Sequence, residues 1–236
     1  MKIALVILMF LANDDFCNKC LSNTMPGANN ITGKKIYYLA LGDSYTIGQS
    51  VTAAENFPNQ AVALLQEDTF NFEPARIIAK TGWTTDELNT GIAAANSIDP
   101  LRPSYDFVSL LIGVNNQYRG RTVENYKSEF EELLKKAIHF ADERADRVIV
   151  VSIPDWGVTP FARGRNRAQI AREIDAYNVI NNRISLQYHV EYIDITSWTR
   201  EAAADLSLLA NDGLHPSGKE YKRWAGRIAA FFKSKI

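Results

Sequence analysis

Residues 36–48 read Ile-Tyr-Tyr-Leu-Ala-Leu-Gly-Asp-Ser-Tyr-Thr-Ile-Gly. The first six form a continuous apolar run, the pattern of a strand buried on both faces. Gly42 ends the run, and Ser44 follows on a turn flanked by Gly42 and Gly48. A buried strand that runs straight into small polar residues is the opening unit expected of a parallel α/β sheet.

The same pattern repeats outward from this stretch. Residues 75–79 (ARIIA), 107–112 (FVSLLI), 148–152 (VIVVS) and 190–195 (VEYIDI) are four more apolar runs. Segments of helical periodicity lie between and after them, at 56–66, 85–97, 122–143, 168–186 and 217–234. In the third of these, Thr122 stands at the cap position and Tyr126, Phe130, Leu133, Leu134 and Ala137 recur at helical spacing. Strand and helix alternate throughout, which predicts a parallel sheet with helices on both faces. Residues 154–167 and 196–213 make long connections, and long loops in compact domains are usually functional.

Composition bounds the function. The 236 residues hold 46% hydrophobic and 22% charged side chains, which excludes a disordered, collagenous or coiled-coil protein. Lys plus Arg is 26 and Asp plus Glu is 27, for a net charge of -1. Such a balance does not attract nucleic acid to the whole surface, so no nucleic-acid partner is expected. Two cysteines build no disulfide framework. Residues 1–33 read as a leader and linker ahead of a single domain at 34–236. The apolar run at 3–12 is too short to span a bilayer and matches the core of a secretory signal. Export to the periplasm or medium is therefore expected. Translation from Met25 is the alternative and would leave a cytoplasmic protein. Cys17 and Cys20 form a C-x-x-C pair in a polar leader, away from the strand-to-helix turn of a redox motif.

Ligands in open α/β sheets bind beyond the carboxyl ends of the strands. The residues there are Gly42-Asp43-Ser44, Lys80-Thr81-Gly82-Trp83, Gly113-Val114-Asn115-Asn116, Pro154-Asp155-Trp156 and Asp212-Gly213-Leu214-His215. A serine nucleophile needs a base to take its proton and donors to hold the oxyanion. The chain has three histidines. His139 falls on a helix face and His189 ahead of the last strand, so His215 alone is placed with Ser44. Asp212, three residues before His215, is spaced to orient its ring, as in Ser-His-Asp triads. G-x-S-x-G is absent around Ser44, which disfavours the nucleophile-elbow hydrolases. Asp43 is expected to order the loop of the first block. No metal-ligand spacing is present, so neither metal nor cofactor is expected.

Gly-Asp-Ser, Gly82, Gly-x-Asn and Asp-x-x-His, in this order and each at a strand end, resemble the SGNH (GDSL-type) hydrolases. The resemblance spans residues 34–236. It implies a three-layer α/β/α sandwich with a five-stranded parallel sheet, flavodoxin-like in architecture. It also implies a metal-independent ester or thioester hydrolase of lysophospholipase or esterase type. On that resemblance Ser44 is the nucleophile, His215 the base and Asp212 its partner. The oxyanion hole consists of the Ser44 and Gly82 N–H groups and the Asn115 amide. The chain departs from the family at Asn116, where many members carry Asp.

Trp83, Tyr118, Trp156 and Phe161 fall on rim loops and form a possible acyl or aryl pocket. Arg119, Arg121, Arg163, Arg165 and Arg167 lie on or after the same loops and read first as solvated charge. Lipid, carbohydrate and small-molecule esters all remain open as substrates. So do acyl transfer on the same triad and a non-catalytic carbohydrate-binding module on the same scaffold. Oligomeric state is unmarked.

Overall fold

The computed structural model describes residues 33–236. The segment expected to be a leader, with its cysteine pair and Met25, lies outside the described residues. Strands β1 (Tyr38–Gly42), β2 (Arg76–Ala79), β3 (Phe107–Leu111), β4 (Val148–Val151) and β5 (Glu191–Ile193) form one sheet in the order β2-β1-β3-β4-β5. All four pairings are parallel. The burial of each strand matches its place. Every residue of β1, β3 and β4 is buried, while β2 is half-buried and β5 begins on exposed Glu191. Runs that are apolar on both faces take the centre, and the edges take the mixed ones.

The helices are α1 (Ser44–Ile47), α2 (Phe57–Glu67), α3 (Thr85–Ile98), α4 (Val114–Tyr118), α5 (Val123–Phe140), α6 (Arg167–Gln187), α7 (Thr196–Thr199) and α8 (Gly218–Lys233). Helices α2 and α8 pack together on one face, and α3, α5 and α6 cover the other. The first layer is sealed by aromatic contact, with Phe232 stacked on Phe107 at 4.2 Å and set edge-on to Tyr38 at 4.9 Å. Burial of such rings dominates core energetics. No described helix is long and apolar enough to cross a membrane.

Two elements are shorter than their sequence patterns suggest. Helix α5 stops at Phe140 rather than 143, because Asp142 and Glu143 take φ of 60° and 58°. Strand β5 stops at Ile193, because the Asp194 carboxylate accepts from the Thr196 N–H at 2.8 Å and turns the chain into α7. The connections expected to be long loops at 154–167 and 196–213 contain short 3-10 turns and α7.

The sheet order reverses between β1 and β3. That switch point opens a crevice at their carboxyl ends. Ser44 leaves β1 there, and Asn115 leaves β3 there.

Candidate active site

Gly42, the last residue of β1, is tightly enclosed. A Cβ there would lie 2.1 Å from the Thr46 Oγ1 and 2.4 Å from the Leu111 carbonyl. Only glycine lets the turn fold this closely against β3. Asp43 then caps α1, its Oδ1 accepting from the Tyr45 N–H at 3.0 Å. Ser44 is the first residue of that helix, so its N–H has no intrahelical acceptor.

The C-terminal segment brings His215 to Ser44. Its Nε2 lies 3.0 Å from the Ser44 Oγ, and its Nδ1 lies 2.6 Å from the Asp212 Oδ2. Both Ser44 and His215 are buried, at 4% and 6% exposure. The other Asp212 oxygen accepts from the Leu214 N–H at 2.9 Å and the His215 N–H at 3.0 Å. Partial burial would raise the Asp212 pKa. Hydrogen bonds from the Ser50 hydroxyl, the His215 ring and the main chain outweigh it and hold the carboxyl at about 2. At neutral pH the pair presents a full anion to the imidazole.

Gly82 follows β2 with φ +84°, a conformation that suits glycine. Its carbonyl accepts from the Arg119 guanidinium at 2.6 Å, and its N–H meets no acceptor among the described residues. The Asn115 amide donates to the Trp83 carbonyl at 3.0 Å and approaches the Asp43 carboxylate at 3.4 Å. Asp43 is fully buried, and desolvation pushes its pKa up to about 7 against the hydrogen bond from Tyr45.

Ser44, Gly82, Asn115 and His215 all line one cavity of about 150 Å³. Tyr118, Trp156 and Phe161 form its aromatic wall, with ring centroids 5.3–6.1 Å apart. Trp156 is fixed by its indole N–H, which donates to the Gln117 side chain at 2.7 Å. Trp83 does not line this cavity. The chain turns into α3 right after it, and its ring folds back over Gly91, where a Cβ would lie 2.1 Å from it. The backbone of Trp83, not its ring, serves the site by holding Asn115.

Of the five rim arginines, Arg119 and Arg121 are paired with Glu87 and Asp86. Arg165 lies over the Tyr118 ring at 5.7 Å. His139 is an exposed helix residue bonded to Glu143 at 2.8 Å. His189, at φ 57°, precedes β5 at the opposite end of the sheet.

Asn116 is buried and grips the start of α3 by two bonds to Thr85. Thr81 and Leu214, which stand in the rim blocks around Gly82 and His215, also line the cavity. One residue of the site was not legible in the sequence: Ser50, which donates to the Asp212 carboxylate at 2.6 Å. No motif marks a loop serine for such a role.

The GDSL-like Lipase/Acylhydrolase family matches residues 40–223. No curated protein matches the chain. Among solved structures, TesA is similar at 15% identity and TM-score 0.64, covering 86% of this chain and 100% of that one. A lipase/acylhydrolase from Enterococcus faecalis is similar at 19% identity and TM-score 0.63, over 85% and 96%. The psychrotrophic esterase EstA from Pseudoalteromonas sp., solved with monoethylphosphonate, is similar at 16% identity and TM-score 0.62, over 84% and 97%. These likenesses show a shared fold. The family match across most of the chain shows the class: this protein belongs to the GDSL-like lipase/acylhydrolase (SGNH) family and is a serine hydrolase acting on ester bonds.

Proposed function

We propose that this enzyme hydrolyses carboxylic esters of small acyl or aryl acids through an acyl-enzyme on Ser44. The observation that carries the reading is the unbroken chain Ser44–His215–Asp212, opening onto the cavity that Gly82 and Asn115 also line.

The Ser44 Oγ attacks the ester carbonyl while the His215 Nε2 takes its proton. Asp212, ionised and bonded to Nδ1, fixes the tautomer and stabilises the imidazolium that forms. The developing oxyanion is held by the Ser44 and Gly82 N–H groups and by the Asn115 amide. Of the two Asn115 contacts, the long one to Asp43 is the one an oxyanion replaces. Donors aimed at this charge are the largest single term in such catalysis. His215 then protonates the departing alcohol. Water, activated by the same ring, attacks the acyl-enzyme and frees Ser44.

Size and lining support the substrate class. A cavity on the order of 150 Å³ admits a benzene-sized group. Here the wall is Tyr118, Trp156 and Phe161, with Val114 and Leu214 beside them. An acetyl, butyryl or benzoyl group fits inside, whereas a long acyl chain projects past Tyr118 and Phe161 into water. A series of p-nitrophenyl esters tests this. Acetate, butyrate and benzoate should give the highest kcat/KM, and decanoate should fall well below them. A kcat/KM that climbs steadily to decanoate overturns the small-acyl reading.

A further inference from the structure

Ser50 lies in the loop that leaves α1, six residues after Ser44. That loop hangs on the nucleophile itself, because the Ser44 carbonyl accepts from the Gly48 N–H at 3.1 Å and the Gln49 N–H at 3.0 Å. The Ser50 Oγ reaches across to the Asp212 Oδ2 at 2.6 Å, joining residues 162 positions apart. Asp212 takes four donors among the described residues. Three belong to its own turn, residues 212–215. Ser50 alone comes from the segment that carries the nucleophile.

The backbone at Ser50 makes the contact harder to dismiss as incidental. Its φ is +68°, a left-handed conformation that serine seldom adopts and that glycine or asparagine accepts more readily. The residue is exposed, so water could solvate its hydroxyl just as well. The hydroxyl instead spends its proton on the carboxylate, on the oxygen that also holds the His215 ring.

We infer that Ser50 is a positioning residue of this active site: its hydroxyl ties the Asp212 carboxylate, and through it the His215 ring, to the loop anchored on Ser44. The inference rests on the reading that Ser44, His215 and Asp212 act together. Without the Ser50 donor, the carboxylate is held only by its own turn, and the ring's approach to the Ser44 Oγ loosens. The bond is absent from substrate contacts, so its loss lowers kcat and leaves KM in place.

Three variants separate the possibilities, assayed with p-nitrophenyl butyrate and by thermal melting. Ser50→Gly removes the donor and relaxes the backbone. Ser50→Asn keeps a donor and tolerates the same φ. Ser44→Ala tests the underlying reading. The expected result is a kcat about tenfold lower for Ser50→Gly. Its KM should stay within about twofold of wild type, its Tm should be unchanged or higher, and Ser50→Asn should recover most of the loss. Wild-type kcat in Ser50→Gly overturns the inference, and so does an equal loss in Ser50→Asn, which would assign the effect to the loop rather than the donor. Full turnover in Ser44→Ala would instead overturn the nucleophile reading on which it rests.

Discussion

Asn116 holds Thr85 at both ends: its Oδ1 accepts from the Thr85 N–H at 3.1 Å, and its Nδ2 donates to the Thr85 hydroxyl at 2.7 Å. That hydroxyl in turn gives its proton to the Glu129 carboxylate. One hydroxyl cannot donate to two carboxylates at once, so the amide at 116 and the acid at 129 are matched. This explains how the chain departs from the family pattern without losing the loop that carries Asn115.

Asn116→Asp should therefore destabilise the fold. It sets a second carboxylate against a buried hydroxyl whose proton is already given away, at about 1–3 kcal/mol. Each kcal/mol lowers Tm by roughly 2–4 °C in a chain of this size. Adding Glu129→Gln supplies a donor from the other side, so the double variant should recover part of the loss. Additive losses in a double-mutant cycle would show that the two positions are not coupled.

Asn115→Ala should lower kcat by on the order of 10²–10³ while leaving the fold intact, as expected for loss of one oxyanion donor. Steady-state kinetics and a melt decide it. A kcat within about threefold of wild type would remove Asn115 from the oxyanion hole.

Asp43 should make stability depend on pH. Its folded pKa of about 7 lies above the ordinary carboxyl value, because burial disfavours the charge. A raised pKa means the folded state holds the proton more tightly. The associated stabilisation is full below about pH 4 and is lost as pH rises through 7, on the order of 2–4 kcal/mol. Asp212 acts oppositely, and only at the acid extreme, since its pKa is held at about 2. The Tm of the wild type should fall between pH 4.5 and 8 relative to that of Asp43→Asn, about the range this pKa spans. Parallel profiles for the two proteins would show that Asp43 titrates in the ordinary range.

Tyr118 and Phe161 are about half exposed and wall the cavity. Tyr118→Ala and Phe161→Ala should each raise KM for p-nitrophenyl benzoate several-fold, roughly 1 kcal/mol of lost apolar contact. Their kcat should change little, because this binding is shared by ground and transition states. Unchanged KM in both variants would place the acyl group elsewhere.

The sheet and the heart of the site were legible for one physical reason. A strand buried on both faces has no polar residues to spare, so polar residues gathered at its carboxyl end announce a site. That logic brought Ser44 and His215 to one rim, where the family resemblance singled out Gly82 and Asn115, and it placed β1, β3 and β4 within a residue or two. It failed where direction, not position, decides. Sequence does not say that the Trp83 ring folds back over Gly91, nor that the Ser50 hydroxyl turns toward Asp212. It also overran β5, because the Asp194 side chain competes for the backbone and ends the ladder early.

The most direct test of the account is covalent labelling of the intact enzyme by an organophosphonate, located by peptide mass spectrometry. The account predicts one adduct per chain, on Ser44, with esterase activity lost in step and no adduct in Ser44→Ala. A label on another residue, or esterase turnover undiminished in Ser44→Ala, would contradict it.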